Sequence, residues 1–449
     1  MSTPDQPSPT SSQTADITMG PPAGLAARHR LPPVEPVEPA EGLHYGWWIV
    51  LSAVLSIFVC LGIGRFALGM LLPAMGRALS LDYVQMGWIG TANFIGYLLG
   101  ALWVRRLLPR HGERRLIAMS LMLIVATMVG VALSGNFVPI LILYGCTGLG
   151  SGIAMVSSMA LVPHWFAREW RGLAVGFLSV GMGLAIILAG WAVPIANAEM
   201  GVMGWRMGWG GLAVLCLPIV LFCLIMIRNR PLDKGLEPFG EVAVDDENWV
   251  APIGMARMEA GAGPRLRKAI LRLGAVYFLF GATYVVYGTF IVTTLVREHG
   301  MAEAKAGQFW IWLGVFSLFC GPLLGLFSDR LGRRAGLCLS LFLQACAYAL
   351  IALGSGAMAV YFSIALFGLS AFAVPLIMTA AVADYSSPLR AAGIMGTITA
   401  IFGVGQILGP ILAGVVANYS GSFSPAYLVS ASLVALAIAI TLTLPDPPS

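Results

Sequence analysis

The chain has 449 residues, of which 58% are hydrophobic and only 10% are charged, and its formal net charge is +5. Soluble globular domains contain about 25% charged residues. The composition therefore argues against a soluble enzyme, a secreted disulfide-stabilised domain and a nucleic-acid-binding protein. It predicts a protein whose solvent is the lipid bilayer, with no nucleic-acid partner.

Cysteine usage and motif content give no indication of a metal site, a cofactor or an enzymatic activity. The seven cysteines all lie within apolar runs and their number is odd, which fits small buried hydrophobic residues better than a disulfide or metal framework. No glycine-rich phosphate loop follows a strand, and no Ser/His/Asp set can be identified. We therefore expect no cofactor and no catalytic residues.

The first 44 residues differ from the rest of the chain. They contain nine prolines and no apolar stretch, so they cannot bury enough surface to offset the entropy of ordering. The first ten residues lack the basic start and the apolar region of a signal peptide. The segment 1–44 is predicted to be a disordered cytoplasmic tail.

From Tyr45 onward the chain contains repeated apolar stretches, each of about the 20 residues that a helix needs to cross a bilayer. Each must be helical, because lipid offers no partner to a free backbone amide. The predicted spans 1 to 12 are 46–72, 84–104, 115–134, 137–161, 172–195, 207–227, 270–294, 306–327, 336–354, 357–382, 391–416 and 424–444. The fold class is an all-α membrane protein of twelve transmembrane helices.

The basic residues are distributed unequally between alternate loops. The loops on the side of the two termini hold eighteen Lys and Arg residues, whereas the opposite loops hold four. This asymmetry follows the positive-inside rule. It predicts a multi-pass protein of the inner (plasma) membrane with both termini in the cytoplasm.

A hydrophilic stretch between spans 6 and 7 divides the spans six and six. We predict two pseudo-symmetric six-helix bundles with a substrate site between them near the middle of the membrane. The predicted domains are the tail 1–44, the N-terminal bundle 45–228, a cytoplasmic linker 229–267, the C-terminal bundle 268–444 and a short cytoplasmic tail 445–449.

A loop motif directly after span 8 is the most specific signature of the chain. It reads Gly325-Leu-Phe-Ser-Asp329-Arg330-Leu-Gly332-Arg333-Arg334. This resembles the G-x-x-x-D-R-x-G-R-R signature of the major facilitator superfamily, over residues 45 to 444. The resemblance implies a permease that works by alternating access, in which this loop is a cytoplasmic latch. The corresponding first-half loop departs from the signature, with Val104 at the acidic position.

The residues of this latch have individual expected roles. Gly325 would let helices approach closely, and Gly332 would permit a tight turn. Asp329 would face the N-terminus of a neighbouring helix, while Arg330, Arg333 and Arg334 bind carbonyl groups or anionic head groups. In span 11, Gly409 and Pro410 form a predicted flexing point of the gate.

Motifs in spans 1 and 2 resemble one particular family within this superfamily. Span 1 contains Gly62-Ile-Gly64-Arg65-Phe66-Ala67, and span 2 contains Gly87-Trp-Ile-Gly-Thr91-Ala-Asn93-Phe-Ile-Gly96-Tyr97-Leu-Leu-Gly100. Both are similar to the YbfB/YjiJ-type bacterial permeases. A more distant similarity to monocarboxylate-type carriers rests on Tyr45-Gly46-Trp47-Trp48, although span 8 lacks the embedded Arg/Asp pair expected of them.

Arg65 is the leading candidate for substrate binding. It lies inside a predicted span, in the half farther from the N-terminus, and no acidic residue or histidine lies in the middle of any span. A guanidinium in such a place usually faces a cavity or a partner. One interpretation is that a small organic anion supplies the missing charge. The alternative is that Arg65 reaches the interface or bonds to carbonyl groups without binding a ligand.

Further candidates carry polar or aromatic groups on helices that border the cavity in this superfamily. For each of them, packing between helices is the alternative interpretation. They are Asn93, Tyr97, Tyr144, Thr147, Tyr284, Tyr287, Gln308, Trp312 and Gln406.

The sequence thus predicts a monomeric secondary transporter, symporter or antiporter, for a small organic anion such as a monocarboxylate. Two alternatives remain open: export of drug-like amphipathic compounds, although span 5 lacks the Gly-Pro run of antiporter-type exporters, and a non-transporting receptor or scaffold that uses the tail and the 229–267 loop. The coupling ion and the direction of transport stay open, because no embedded carboxylate or histidine is present.

Overall fold

A computed structural model of the protein describes residues 43–240, 263–354, 356–386 and 388–445. Nearly all of the predicted N-terminal tail, residues 241–262 of the predicted linker and all but Pro445 of the C-terminal tail lie outside the described residues. The described chain is helical from end to end apart from short turns, and it contains no strand beyond one isolated bridge between Phe166 and Phe239.

Ten long apolar helical segments account for all twelve predicted spans. They are Tyr45–Ala78, Tyr83–Leu133, Phe137–Trp165, Glu169–Met226, Leu266–Glu298, Glu303–Leu331, Arg333–Leu353, Ala357–Tyr385, Gly393–Ser420 and Ser424–Leu442. Two of them are long enough for two spans each: Tyr83–Leu133 turns at Gly112, and Glu169–Met226 turns at Gly201, both with positive φ. The twelve-span prediction is therefore confirmed.

Span 1 is not a uniform α-helix. Its middle part, Phe58–Phe66, is a π-helix that joins the α-helices Tyr45–Ile57 and Ala67–Ala78. Glycines let this part lie against its neighbours, since a Cβ at Gly62 would lie 2.0 Å from the Ala185 Cβ. Ser151 of span 4 donates a hydrogen bond to the Cys60 carbonyl at 2.7 Å. Because π-helical turns are often found at functional sites, the position of Arg65 in this segment supports its candidacy.

Spans 2 and 4 pack backbone against backbone. A Cβ at Gly148 would lie 2.0 Å from the Asn93 carbonyl oxygen, and one at Gly152 would lie 2.2 Å from the Tyr97 carbonyl oxygen. Small residues allow this approach between membrane helices, where van der Waals packing drives association. The approach fixes Asn93 and Tyr97 of span 2 beside span 1.

The two bundles meet along two helix pairs, spans 5 with 8 and spans 2 with 11. We call the side of the protein that carries Tyr45 and Leu442 the terminal face, and the other side the opposite face. Towards the opposite face, a Cβ at Gly190 would lie 2.8 Å from the Gly307 carbonyl oxygen, and one at Gly87 would lie 2.5 Å from that of Pro410. The bundles are therefore in tight contact in the half nearer the opposite face.

Towards the terminal face the same helices carry glycines with free space around them. A Cβ would meet no other atom of the described residues within 4 Å at Gly172 and Gly176 of span 5, at Gly325 of span 8, or at Gly393 and Gly396 of span 11. The close helix approach that the motif predicts at Gly325 is thus absent among the described residues in this conformation.

Candidate functional site

A small cavity lies between the two bundles at the depth of the π-helical segment. Its volume is about 20 Å³, which is room for about one water molecule. Spans 1, 2 and 4 of the first bundle and span 7 of the second line it. The lining residues are Arg65, Phe66, Leu68, Gly90, Asn93, Phe94, Tyr144, Tyr284, Val285, Gly288 and Thr289.

The Arg65 guanidinium is held between two aromatic rings of span 2. Its Cζ lies 4.5 Å from the ring centre of Phe94 and 4.3 Å from that of Tyr97. Both are cation–π distances. Tyr144 donates a hydrogen bond to the Arg65 carbonyl oxygen at 3.0 Å and so ties span 4 to the same turn of span 1. Aromatic contacts thus position the cation without neutralising its charge.

Arg65 has no acidic partner within the described part of the chain. The salt bridges there join Arg77 to Glu303, His164 to Glu113, and Arg333 to Asp329 and Asp384. Moreover, the Nε and Nη2 atoms of Arg65 are buried without any hydrogen-bond partner. These two nitrogens lie on one edge of the guanidinium, the arrangement that binds both oxygens of a carboxylate.

Asn93 supplies the second unpaired polar group of the cavity. Its side-chain Nδ2 donates to the Tyr144 carbonyl at 3.2 Å and to the Gly64 carbonyl at 3.4 Å. Its Oδ1 is buried and has no partner. The cavity wall therefore presents an unpaired donor edge and an unpaired acceptor.

Tyr284 brings the second bundle to the site. Gln406 of span 11 donates to its hydroxyl at 2.5 Å, and this hydroxyl is close enough to interact with the Arg65 guanidinium. The ring of Tyr284 belongs to a stack with Phe280, Phe402 and Tyr277, whose planes are within 13° of parallel. A flat aromatic surface thus extends from the cavity into the second bundle.

The structure brings six of the eight residues that lead the substrate-binding prediction to this region and leaves two elsewhere. Tyr287 points into the second bundle, where its hydroxyl bonds to Ser363 at 2.7 Å, and Gln308 is exposed. Of the two further candidates, Thr147 bonds to Thr127 at 2.8 Å and Trp312 is exposed.

The sequence-based prediction of substrate-binding residues did not include seven of the eleven lining residues, which are Phe66, Leu68, Gly90, Phe94, Val285, Gly288 and Thr289. Phe94 covers one face of Arg65, and Val285 and Thr289 form the wall contributed by span 7. Phe94 could have been predicted from Tyr97, because residues three positions apart lie on the same side of a helix. For Val285 and Thr289 the sequence alone offered no such signal, since hydropathy does not indicate which side of span 7 faces the cavity.

The latch residues surround a different centre on the terminal face. Arg333 bonds to Asp329, four residues earlier, and its Nε lies 3.0 Å from an Asp384 carboxylate oxygen at the end of span 10. Gly332 has φ 93° and makes the predicted tight turn, whereas Arg330 and Arg334 are exposed. Within the described residues Asp329 thus pairs with Arg333, and its expected position at the N-terminus of a neighbouring helix stays a prediction.

The flexing point predicted in span 11 lies at the bundle interface. A Cβ at Gly409 would lie 2.3 Å from the Ala282 carbonyl oxygen of span 7, and the Pro410 side chain faces Gly90 of span 2. Gly409 thus binds span 11 to its own bundle, while Pro410 contacts the other bundle.

Comparison with known proteins finds transporters of the same architecture. The chain is 28% identical over 381 residues to the 3-(3-hydroxy-phenyl)propionate transporter of Escherichia coli, covering 82% of this chain and 86% of that protein. It is 24% identical over 307 residues to the 4-hydroxybenzoate transporter PcaK of Acinetobacter baylyi, covering 63% and 64%. The crystal structure of a D-xylose-proton symporter superposes with a TM-score of 0.68 at 16% identity, covering 90% and 98%.

A family model described as "Uncharacterised MFS-type transporter YbfB" matches residues 57–442. This match covers spans 2 to 11 completely and most of spans 1 and 12, including Arg65 and the latch motif. The chain therefore belongs to the YbfB-type transporters of the major facilitator superfamily.

Proposed function

We propose that the protein is a secondary transporter that moves a small organic anion, a monocarboxylate, by alternating access of its two bundles. The observation that carries this proposal is the Nε/Nη2 edge of Arg65, which is buried in the cavity wall with no hydrogen-bond partner. Within the described residues no carboxylate neutralises the guanidinium.

The physical argument is one of charge compensation. A buried cation without a partner is costly, and it is retained in membrane helices mainly where it serves a substrate path. A carboxylate that binds to the free edge gains two charge-assisted hydrogen bonds and removes the uncompensated charge. A neutral solute would gain neither, so the site discriminates by charge.

Two further observations favour an aromatic monocarboxylate. Phe66, Phe94, Tyr144 and Tyr284 supply four of the eleven lining residues, and such rings stack favourably with another ring. The two relatives described above are named for aromatic acids, 3-(3-hydroxy-phenyl)propionate and 4-hydroxybenzoate. Both compounds present a carboxylate to their carrier.

The cavity must open before such a substrate can bind, because about 20 Å³ does not accommodate an aromatic ring. The free glycines of the terminal face mark the side on which the bundles are apart. We propose that both termini lie in the cytoplasm, in line with the excess of basic residues on this side, and that the conformation described is closed towards the outside. The protein functions as a monomer in this proposal, since one chain forms the whole cavity.

Substitution of Arg65 tests the proposal directly. Binding of benzoate, 4-hydroxybenzoate and 3-phenylpropionate to the full chain in nanodiscs would be measured by calorimetry, and uptake by proteoliposomes. We expect Arg65→Gln to weaken binding of all carboxylates about a hundredfold, and Arg65→Lys to weaken it about tenfold because the charge stays and the two-pronged geometry is lost.

Arg206→Gln is the matched control. Arg206 is also a partly buried arginine, but its Nη1 bonds to the Ala132 carbonyl at 2.7 Å and its guanidinium covers Trp205, outside the cavity. This variant should bind carboxylates like the wild type. Equal carboxylate binding by the wild type and Arg65→Gln would refute the proposal.

A further inference from the structure

Asn93 offers a hydrogen-bond acceptor that the protein itself does not use. The residue is 1% exposed and lines the same cavity as Arg65. Its side-chain amide is oriented unambiguously, because two backbone carbonyls, those of Gly64 and Tyr144, require the NH2 group on their side. The atom left without a partner is therefore the oxygen Oδ1.

A buried acceptor without a donor lowers stability, and buried polar groups in folded proteins are almost always paired. The cavity that Asn93 lines has room for about one water molecule, but Oδ1 exposes almost no surface to it in this conformation. A ligand that occupies the opened cavity must either bring its own donor or leave the oxygen unpaired. The second case carries the desolvation penalty of the acceptor.

Asn93 is also fixed relative to the cation. Phe94, the next residue of span 2, and Tyr97, one helical turn further, both lie within cation–π distance of the Arg65 guanidinium. Tyr144 accepts from Asn93 through its carbonyl and donates to the Arg65 carbonyl through its hydroxyl. The donor edge of Arg65 and the acceptor of Asn93 are thus held by the same three helices.

We propose that Asn93 selects carboxylates that also carry a hydroxyl group. The carboxylate binds the Nε/Nη2 edge of Arg65, and the hydroxyl donates a hydrogen bond to Asn93 Oδ1. This inference rests on the proposed function and deepens it, because it names the second group that the site recognises. A site with a buried acceptor rejects an analogue that lacks the donor far more strongly than an apolar pocket does.

Three series of ligands test this assignment with the full chain in nanodiscs. Each series is a carboxylate with hydrogen, hydroxyl or methoxy at one ring position: benzoates substituted at the 3-position, benzoates substituted at the 4-position, and 3-phenylpropionates substituted at the 3-position. A methoxy group keeps the oxygen on the ring but donates no hydrogen bond, and it is larger than a hydroxyl by one methyl group. We expect the hydroxyl compound of at least one series to bind at least tenfold more tightly than its methoxy counterpart.

The Asn93→Leu variant assigns the preference to this residue. Its hydroxyl-to-methoxy ratio should fall to within about twofold. Thr289→Val is the matched control, because Thr289 lines the same cavity with a hydroxyl of its own. Its ratio should stay at the wild-type value. The wild-type ratios require no variant, so the test holds even if Asn93→Leu does not fold.

The outcomes separate this inference from the proposed function. Carboxylate binding that depends on Arg65 but shows no hydroxyl preference in any series overturns the role of Asn93 alone. So does a preference that persists in Asn93→Leu, or one that is lost in Thr289→Val instead. If no carboxylate binds, or binding ignores Arg65, both proposals fail together.

Discussion

Spans 5 and 8 pack tightly at one end and lie apart at the other. Towards the opposite face, a Cβ at Gly307 would lie 2.4 Å from the Gly190 carbonyl, and one at Gly314 would lie 2.9 Å from that of Gly183. Towards the terminal face, a Cβ at Gly172 or Gly176 of span 5, or at Gly325 of span 8, would meet no atom within 4 Å in the part of the chain that the structure describes. Glycines therefore serve contact at one end and leave space at the other.

Spans 2 and 11 repeat this arrangement. Thr91 donates to the Ile407 carbonyl at 2.9 Å, and a Cβ at Gly414 would lie 2.4 Å from the Tyr83 carbonyl. Gly393 and Gly396, nearer the terminal face, are free. Because both helix pairs diverge in the same direction, the two bundles are closer together at the opposite face than at the terminal face. Alternating access then requires the tight contacts to break and the free glycines to gain new ones.

The largest effect is expected from a substitution that keeps spans 5 and 8 from closing at the opposite face. Gly190→Val places a side chain where a Cβ lies 2.8 Å from the Gly307 carbonyl, so spans 5 and 8 can no longer close at the opposite face. We expect uptake by proteoliposomes to fall at least tenfold, since overpacking at a close helix contact forces the backbones apart.

Gly211→Val is the control, on span 6, which belongs to neither of the helix pairs that join the bundles. It carries the same change of residue at an exposed position where a Cβ would meet no atom of the described residues within 4 Å, so its uptake should remain within about twofold of the wild type. Equal loss of uptake in both variants would show that helix propensity, and not contact between the bundles, causes the effect.

A smaller effect is expected from the polar contact at the opposite face. Glu303 of span 8 forms a salt bridge with Arg77 of span 1 and accepts a hydrogen bond from Asn197 of span 5 at 2.6 Å. The Arg77 side chain is 53% exposed, so the pair is screened by solvent and its contribution is modest. Glu303→Gln should shift the balance towards the state that is open at the opposite face.

Labelling of a thiol measures this shift. In a variant without the seven native cysteines, Gly172→Cys reports whether the terminal face is open. Adding Glu303→Gln should slow labelling about two- to fivefold. Glu298→Gln is the control, because Glu298 accepts from Ser422 and from the Phe423 backbone within one bundle. Slower labelling in both variants, or in neither, would contradict a role of Glu303 in closing this face.

The sequence predicted the spans and the unpaired charge because both follow from composition along one chain. Length and hydropathy identify a membrane helix, and the absence of embedded acids left Arg65 without a partner before any contact was known. The sequence did not predict the contacts between bundles. The pairing of Gly190 with Gly307 depends on the relative register of two helices that are 117 residues apart.

In the candidate site, the sequence also did not predict which face of a helix is turned towards the cavity. Tyr284 and Tyr287 lie on one span, but only Tyr284 reaches the cavity, and Gln308 faces outward. Periodicity identifies the buried face of a helix when its other face is polar. In a membrane the outer face is as apolar as the inner one, so hydropathy does not indicate which side of span 7 or 8 faces the substrate path.

The smallest effect is expected from one hydrogen bond in the contact between spans 2 and 11. Thr91→Val removes the bond from the Thr91 hydroxyl to the Ile407 carbonyl and keeps the shape of the side chain. Because the conformation closed at the opposite face loses one neutral hydrogen bond, the melting temperature should fall by about 1–3 °C. Thr397→Val is the control, since the Thr397 hydroxyl bonds only within its own helix, to the Gly393 carbonyl at 3.1 Å. A fall of the same size in both variants would mean that the loss reflects a threonine in a helix and not the contact between the bundles.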